Sequence, residues 1–165
     1  SNPAFIEWIQ SPIKYIEEGV FAEEARKLLP KVYTQESGIY HYRSMAKSNR
    51  NRYLRAEMVP LKKYFYVLRP LLAVRWIEKF HTAAPIEFEK LLQMIEDKKE
   101  LLQEIDILLA KKRDAPEMGL SEPVAIINEF VEEELTRLEL INPQTTFKKD
   151  SIPFLNELFQ NVMRS

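Results

Sequence analysis

Ten prolines and only three glycines in 165 residues constrain this chain more than any single motif does. The prolines fall between apolar-periodic segments, where they act as helix punctuation, and no stretch alternates in the manner of a sheet strand. The expected fold is all-α, a helical bundle of about six to eight helices forming a single domain over residues 1–165. The composition, 45% apolar and 30% charged, is ordinary for a globular domain of this length.

Helices are expected from about Pro3, after Pro12 and from Phe21, where FAEEARKLLP reads as a strong helix former stopped by Pro30. A longer helix follows Ser37, with Tyr42, Met45, Ala46, Asn49 and Tyr53 along one side, and Pro60 separates it from LKKYFYVLRPLLAVRWIEKF. That second segment is apolar nearly all round, the mark of a central helix, and Pro70 is expected to kink it without ending it. Residues 85–113 read as one long helix or two short ones. Ser121 is a candidate N-cap for the acidic helix VAIINEFVEEELTRLEL, and a last helix starts near Ile152.

No apolar run approaches the roughly 20 residues needed to cross a bilayer, and the N-terminus lacks the order of a secretory signal. With no cysteine, disulfides, thiolate nucleophiles and cysteine-based zinc sites are excluded, in keeping with a reducing compartment. A cytoplasmic location with no membrane partner is the expectation.

The net charge of −1 conceals a segregated distribution. Residues 41–79 hold ten Lys or Arg against Glu57 and Glu78, a local balance of +8, so the remainder carries −9. Such a field attracts an anionic ligand even near zero total charge, because charges beyond about 8–10 Å are screened by salt. On helical wheels Arg43, Lys47 and Arg50 share one side of the first helix, and Lys62, Tyr66 and Arg69 align on the second. The short connection makes the two helices antiparallel neighbours, which could bring both ridges to one cleft for phosphates, with tyrosines near for base stacking. Arg75 lies closer to the apolar stripe than a solvating arginine would. The alternative is pairing with acidic neighbours, for which residues Glu129 to Glu134 are available, and Arg75 could equally be a buried arginine bonded to a glutamate.

Catalytic constellations are mostly missing. The four aspartates, Asp97, Asp106, Asp114 and Asp150, form no D-x-D or D-x-E pair, there is no phosphate-cradling glycine loop, and the two histidines leave little for a triad. Arg75 and His81 resemble the R-x4-6-H motif of HEPN-type metal-independent ribonucleases, a short motif often matched by chance.

Three blocks carry a wider resemblance: NPAFIEWIQSPIKY at 2–15, YHYRSMAKSNRNRYL at 40–54 and KKYFYVLRPLLAVRWIE at 62–78. Together they resemble the predicted nucleotidyltransferases of the DNA polymerase beta superfamily linked to RNA repair, the group that includes bacterial YcgL-like proteins. In that family a catalytic core precedes the N-P-x-x-x-E-W block, with a Gly-Ser motif and strand-borne carboxylates for two magnesium ions and a nucleoside triphosphate. Here the adjacent Ser37 and Gly38 stand in reversed order and the carboxylates are lacking. The resemblance therefore implies a helical C-terminal portion, inactive by itself, which binds no cofactor of its own. Magnesium and the nucleoside triphosphate are expected for the full enzyme.

The resemblance further implies that Arg43, Lys47, Lys62, Lys63, Arg69 and Arg75 hold substrate phosphates, joined on the wheel by Arg50 and Tyr66. The expected partners are the missing N-terminal core and a nucleotide or RNA end, with a homodimer as a further candidate. The alternative function is a helical interaction or dimerisation domain, in which residues 85–113 present an apolar stripe to a partner.

Overall fold

A computed structural model describes residues 3–11, 13, 20–114, 119–141 and 152–164. Among them are eight α-helices: α1 (Pro3–Ile9), α2 (Phe21–Val32), α3 (Gln35–Tyr53), α4 (Leu61–Phe80), α5 (Phe88–Leu91), α6 (Lys99–Asp114), α7 (Ala125–Leu140) and α8 (Ile152–Arg164). A 3-10 turn, Leu92–Ile95, follows α5, so residues 85–113 form separate helices and not one. The fold is all-α. The only extended pairing among the described residues is a two-residue antiparallel bridge of β1 (Val59–Pro60) with β2 (Leu120–Ser121). The segment after Pro12 lies largely outside the described residues.

The central element is α4. Tyr64, Val67, Leu68, Leu71, Leu72, Val74 and Ile77 are almost wholly buried, because α3, α6 and α7 cover different sides of it. Burial all round is what its non-periodic apolar sequence requires. Asn49 on α3 meets Tyr66 and Gly38 meets Ile77, so the two helices run antiparallel as expected. At Gly38 a Cβ would overlap the Tyr33 hydroxyl and lie 3.1 Å from Ile77 Cδ1, so this glycine permits a close approach.

The helix α4 runs unbroken through Pro70. Proline has no N–H to give the carbonyl four residues earlier, that of Tyr66. The side-chain amide of Asn49 supplies the missing donor at 3.2 Å from that oxygen. Pro30, expected to stop α2, lies within it, and the helix ends at Val32.

Ser121 is not the cap of α7. It pairs with Val59 in the bridge, and the helix begins after Val124, whose N–H donates to the buried Tyr64 hydroxyl at 3.0 Å. The first described helix is clipped to the core by one carboxylate. Glu7 Oε1 accepts from Tyr42 Oη at 2.5 Å and from Arg69 Nη1 at 2.9 Å. Amphipathic α8 packs on α2.

Candidate functional site

The structure separates the sequence-predicted cations into two groups. Five of them are engaged within the fold, chiefly by α7. Arg43 Nη1 donates to the carbonyls of Leu138 and Ile141, Lys47 pairs with Glu139 at 2.7 Å, and Arg50 pairs with Glu132. Because α7 lies antiparallel to α3, the Arg43, Lys47, Arg50 ridge meets acidic positions and C-terminal carbonyls of α7 in turn. Arg69 is held by Glu7 on α1, and its Nη2 reaches the Ile86 carbonyl at 3.5 Å.

Arg75 is engaged by two elements and a ring. It donates to Glu134 at 2.6 Å and to the Met94 carbonyl at 3.1 Å, and its guanidinium lies over the Phe130 ring. Glu134 is the buried charged residue of the described core, and it also accepts from Arg137, which in turn grips both oxygens of Glu78. Burial alone would push the Glu134 carboxyl up, but hydrogen bonds from Arg75 and Arg137 outweigh it and hold the group below its ordinary value.

The remaining two, Lys62 and Lys63, gather with Tyr66 at one end of the molecule, where α4 begins and α3 ends. The Lys63 ammonium lies 4.0 Å from the Tyr53 ring centroid and 4.4 Å from that of Tyr66. Arg52 stacks at 5.3 Å on the same Tyr53 ring. Arg55 is exposed in the connection, and neither it nor Lys62 forms an ion pair among the described residues. From α6, Lys112 reaches the Phe65 ring at 5.0 Å, which adds a cation to the same end. Wheel reasoning finds Lys62 and Tyr66 but misses Arg52 and Arg55, because it sorts residues by helix side and these lie at a helix end and beyond it.

Electrostatics distinguishes this end from the ridges. A ring face holds an ammonium without neutralising it, whereas a carboxylate cancels it. The first turn of α4 contains Lys62 and Lys63 and no acidic residue, so two cations stand at the positive end of the helix dipole. That arrangement is unfavourable alone and eases when an anion binds.

Arg75 and His81 are not brought together. Arg75 lines a cavity with Glu78, Lys79, Met94 and Arg137, whereas His81 lines another with Tyr33 and Gln35. The apolar stripe of α6 faces inward, with Leu101, Ile105 and Leu108 buried and Ile107 exposed. Among the described residues there is no group of three or more His, Asp or Glu that could hold a metal ion. No helix among them is long and apolar enough to cross a membrane.

The class defined by these features is an all-α protein with an ionic core and a basic, tyrosine-lined end. The chain belongs to the RNA repair pathway DNA polymerase beta family, whose family model matches residues 1–161. It is 40% identical over 164 residues to the uncharacterized protein YcgL of Bacillus subtilis (strain 168). That match covers 99% of this chain and 63% of the relative, so the chain spans less than two thirds of the relative's length. No solved structure matches it.

Proposed function

We propose that the basic, tyrosine-lined end holds the phosphates of a nucleotide or RNA end for a nucleotidyltransferase core formed by other residues of the full protein. The observation that carries this reading is the placement of Lys62 and Lys63 in the first turn of α4, which has no acidic residue, with the Lys63 ammonium against the Tyr53 and Tyr66 rings and neither lysine in an ion pair among the described residues. Family membership in RNA repair supports the choice of anion, and the relative's greater length leaves room for a catalytic core. In this reading magnesium and the nucleoside triphosphate belong to that core, the setting is the bacterial cytoplasm, and the domain positions substrate without reacting.

Phosphate contacts position a ligand without reading its bases, so tight sequence selectivity is not expected from this end. The test is fluorescence anisotropy of a short RNA 3′ end across a salt series, with the native chain and a K62A/K63A/Y66A variant. Binding should weaken with salt by about 0.7 in log–log slope per phosphate neutralised. The variant should lose both affinity and slope. Binding that is unaffected by the triple change would refute the assignment.

A further inference from the structure

The cavity at the opposite end of α4 has no part in the reading above. It measures about 510 Å³ and lies among Gln10, Leu29, Tyr33, Gln35, His81 and Thr82. This volume falls within the roughly 300–1,000 Å³ typical of small-molecule sites. From Lys62 to His81 the helix rises about 28 Å at 1.5 Å per residue, so the two ends are separate.

His81 is held in an unusual way. It is the one described non-glycine residue with positive φ, at 57°, and forms the left-handed C-cap of α4, its N–H donating to the Ile77 carbonyl. Gln35 clasps it from α3: the Gln35 amide nitrogen donates to the His81 carbonyl at 3.3 Å, and Gln35 Oε1 lies 3.1 Å from His81 Nδ1. A carbonyl only accepts, so the amide has one orientation, and Oε1 must receive a proton from Nδ1. The clasp therefore puts a proton on Nδ1, and in the neutral imidazole Nε2 is then the acceptor.

Thr82 is fixed as well. Its Oγ1 accepts from Trp76 Nε1 at 3.2 Å, so its own hydroxyl proton remains to be donated. The cavity thus offers an acceptor, a donor, a two-way amide in Gln10 and walls from Leu29 and the Tyr33 ring. None of its described lining residues is Asp, Glu, Lys or Arg, which disfavours phosphate and cations alike.

We propose that this cavity binds an uncharged planar heterocycle of nucleobase size, with His81 Nε2 and the Thr82 hydroxyl meeting its edge and the Tyr33 ring its apolar surface. The proposal does not rest on phosphate binding at the other end, and the two fail separately.

The test uses the four common ribonucleosides, which lack phosphate, titrated into the 15N-labelled chain at low and at high salt. Thr82→Val removes only the hydroxyl, and His81→Asn tolerates the left-handed backbone while removing Nε2. The expected result is saturable amide shifts centred on residues 33–35 and 81–83 for at least one nucleoside, alike at both salts and about tenfold weaker in either variant. The proposal is overturned if no nucleoside gives saturable shifts, if both variants bind as the native chain does, or if the shifts map to Lys62 and Lys63.

Discussion

The side-chain amide of Asn49 donates to the backbone carbonyl of Tyr66, the carbonyl that Pro70 cannot serve. A proline within a central helix is thereby satisfied from a neighbouring helix. Asn49→Ala should cost about 1 kcal/mol, the net value of one such bond. In a Pro70→Ala background, where residue 70 regains its N–H, the same change should cost almost nothing. Urea unfolding of the four members of this cycle measures the coupling, and equal costs in both backgrounds would show that Asn49 has another role.

Much of this architecture is legible from residues alone, and the exceptions share a cause. Periodicity locates α3, the segments of α7 and α8 are read as helices, and the all-round apolar pattern marks α4 as central. Pro30 and Ser121 mislead because local signals compete with tertiary ones: Ser121 is drawn into a bridge with Val59, and the start of α7 is served by Tyr64 from across the core. The cationic ridges are visible on a wheel, but their partners are not, because Arg50 and Glu132 are 82 positions apart. The acidic residues of α7 are recognisable as candidate counter-ions; their docking against α3 depends on packing that no local window contains.

Removing the Glu134 carboxylate takes from Arg75 its ion-pair partner, whereas Arg137 keeps both oxygens of Glu78. Glu134→Gln should destabilise the chain by roughly 2–4 kcal/mol at neutral pH, the loss of a buried ionic partner discounted because Arg75 is one quarter exposed. Replacing Glu134 and Arg75 together by Leu and Met should recover most of the loss.

The same group predicts an acid response. A carboxyl held low in the folded state contributes stability above its unfolded value of about 4.3, and that contribution is lost as pH falls through the lower folded value. The urea midpoint of the native chain should therefore drop more steeply below about pH 4 than that of Glu134→Gln. Parallel curves would show that Glu134 is not the responsible group.

Gly38 and Tyr33 form a second testable pair. Burial pushes the Tyr33 phenol up to about 12, and its hydroxyl has no hydrogen-bond partner among the described residues. Tyr33→Phe should be neutral or stabilising by up to about 1 kcal/mol. Gly38→Ala should destabilise by about 1–2 kcal/mol through overlap with that hydroxyl, despite alanine's better helix propensity. Thermal melts of the double variant should show the clash largely relieved.

The two groups of cations should separate in one experiment. Lys47→Ala breaks an exposed pair with Glu139 and should leave RNA affinity within about twofold. Lys62→Ala with Lys63→Ala should lower it by about tenfold or more in low salt, with the helical circular dichroism unchanged. The opposite ranking would move the site to the α3 ridge.

The docking of α7 has an electrical consequence. By pairing Lys47, Arg50 and Arg75 with its carboxylates and engaging Arg43 through its last carbonyls, it leaves Lys62, Lys63, Arg52 and Arg55, where α3 ends and α4 begins, as cations without an ion pair among the described residues. Asp97, Glu100, Glu129 and Glu133 line a cavity together with Lys98 and Lys99, four carboxylates against two ammonium groups. A body with a net charge of −1 and poles so arranged feels torque more than pull in the field of a polyanion. Under the proposed function it turns before it touches, with the tyrosine-lined end foremost.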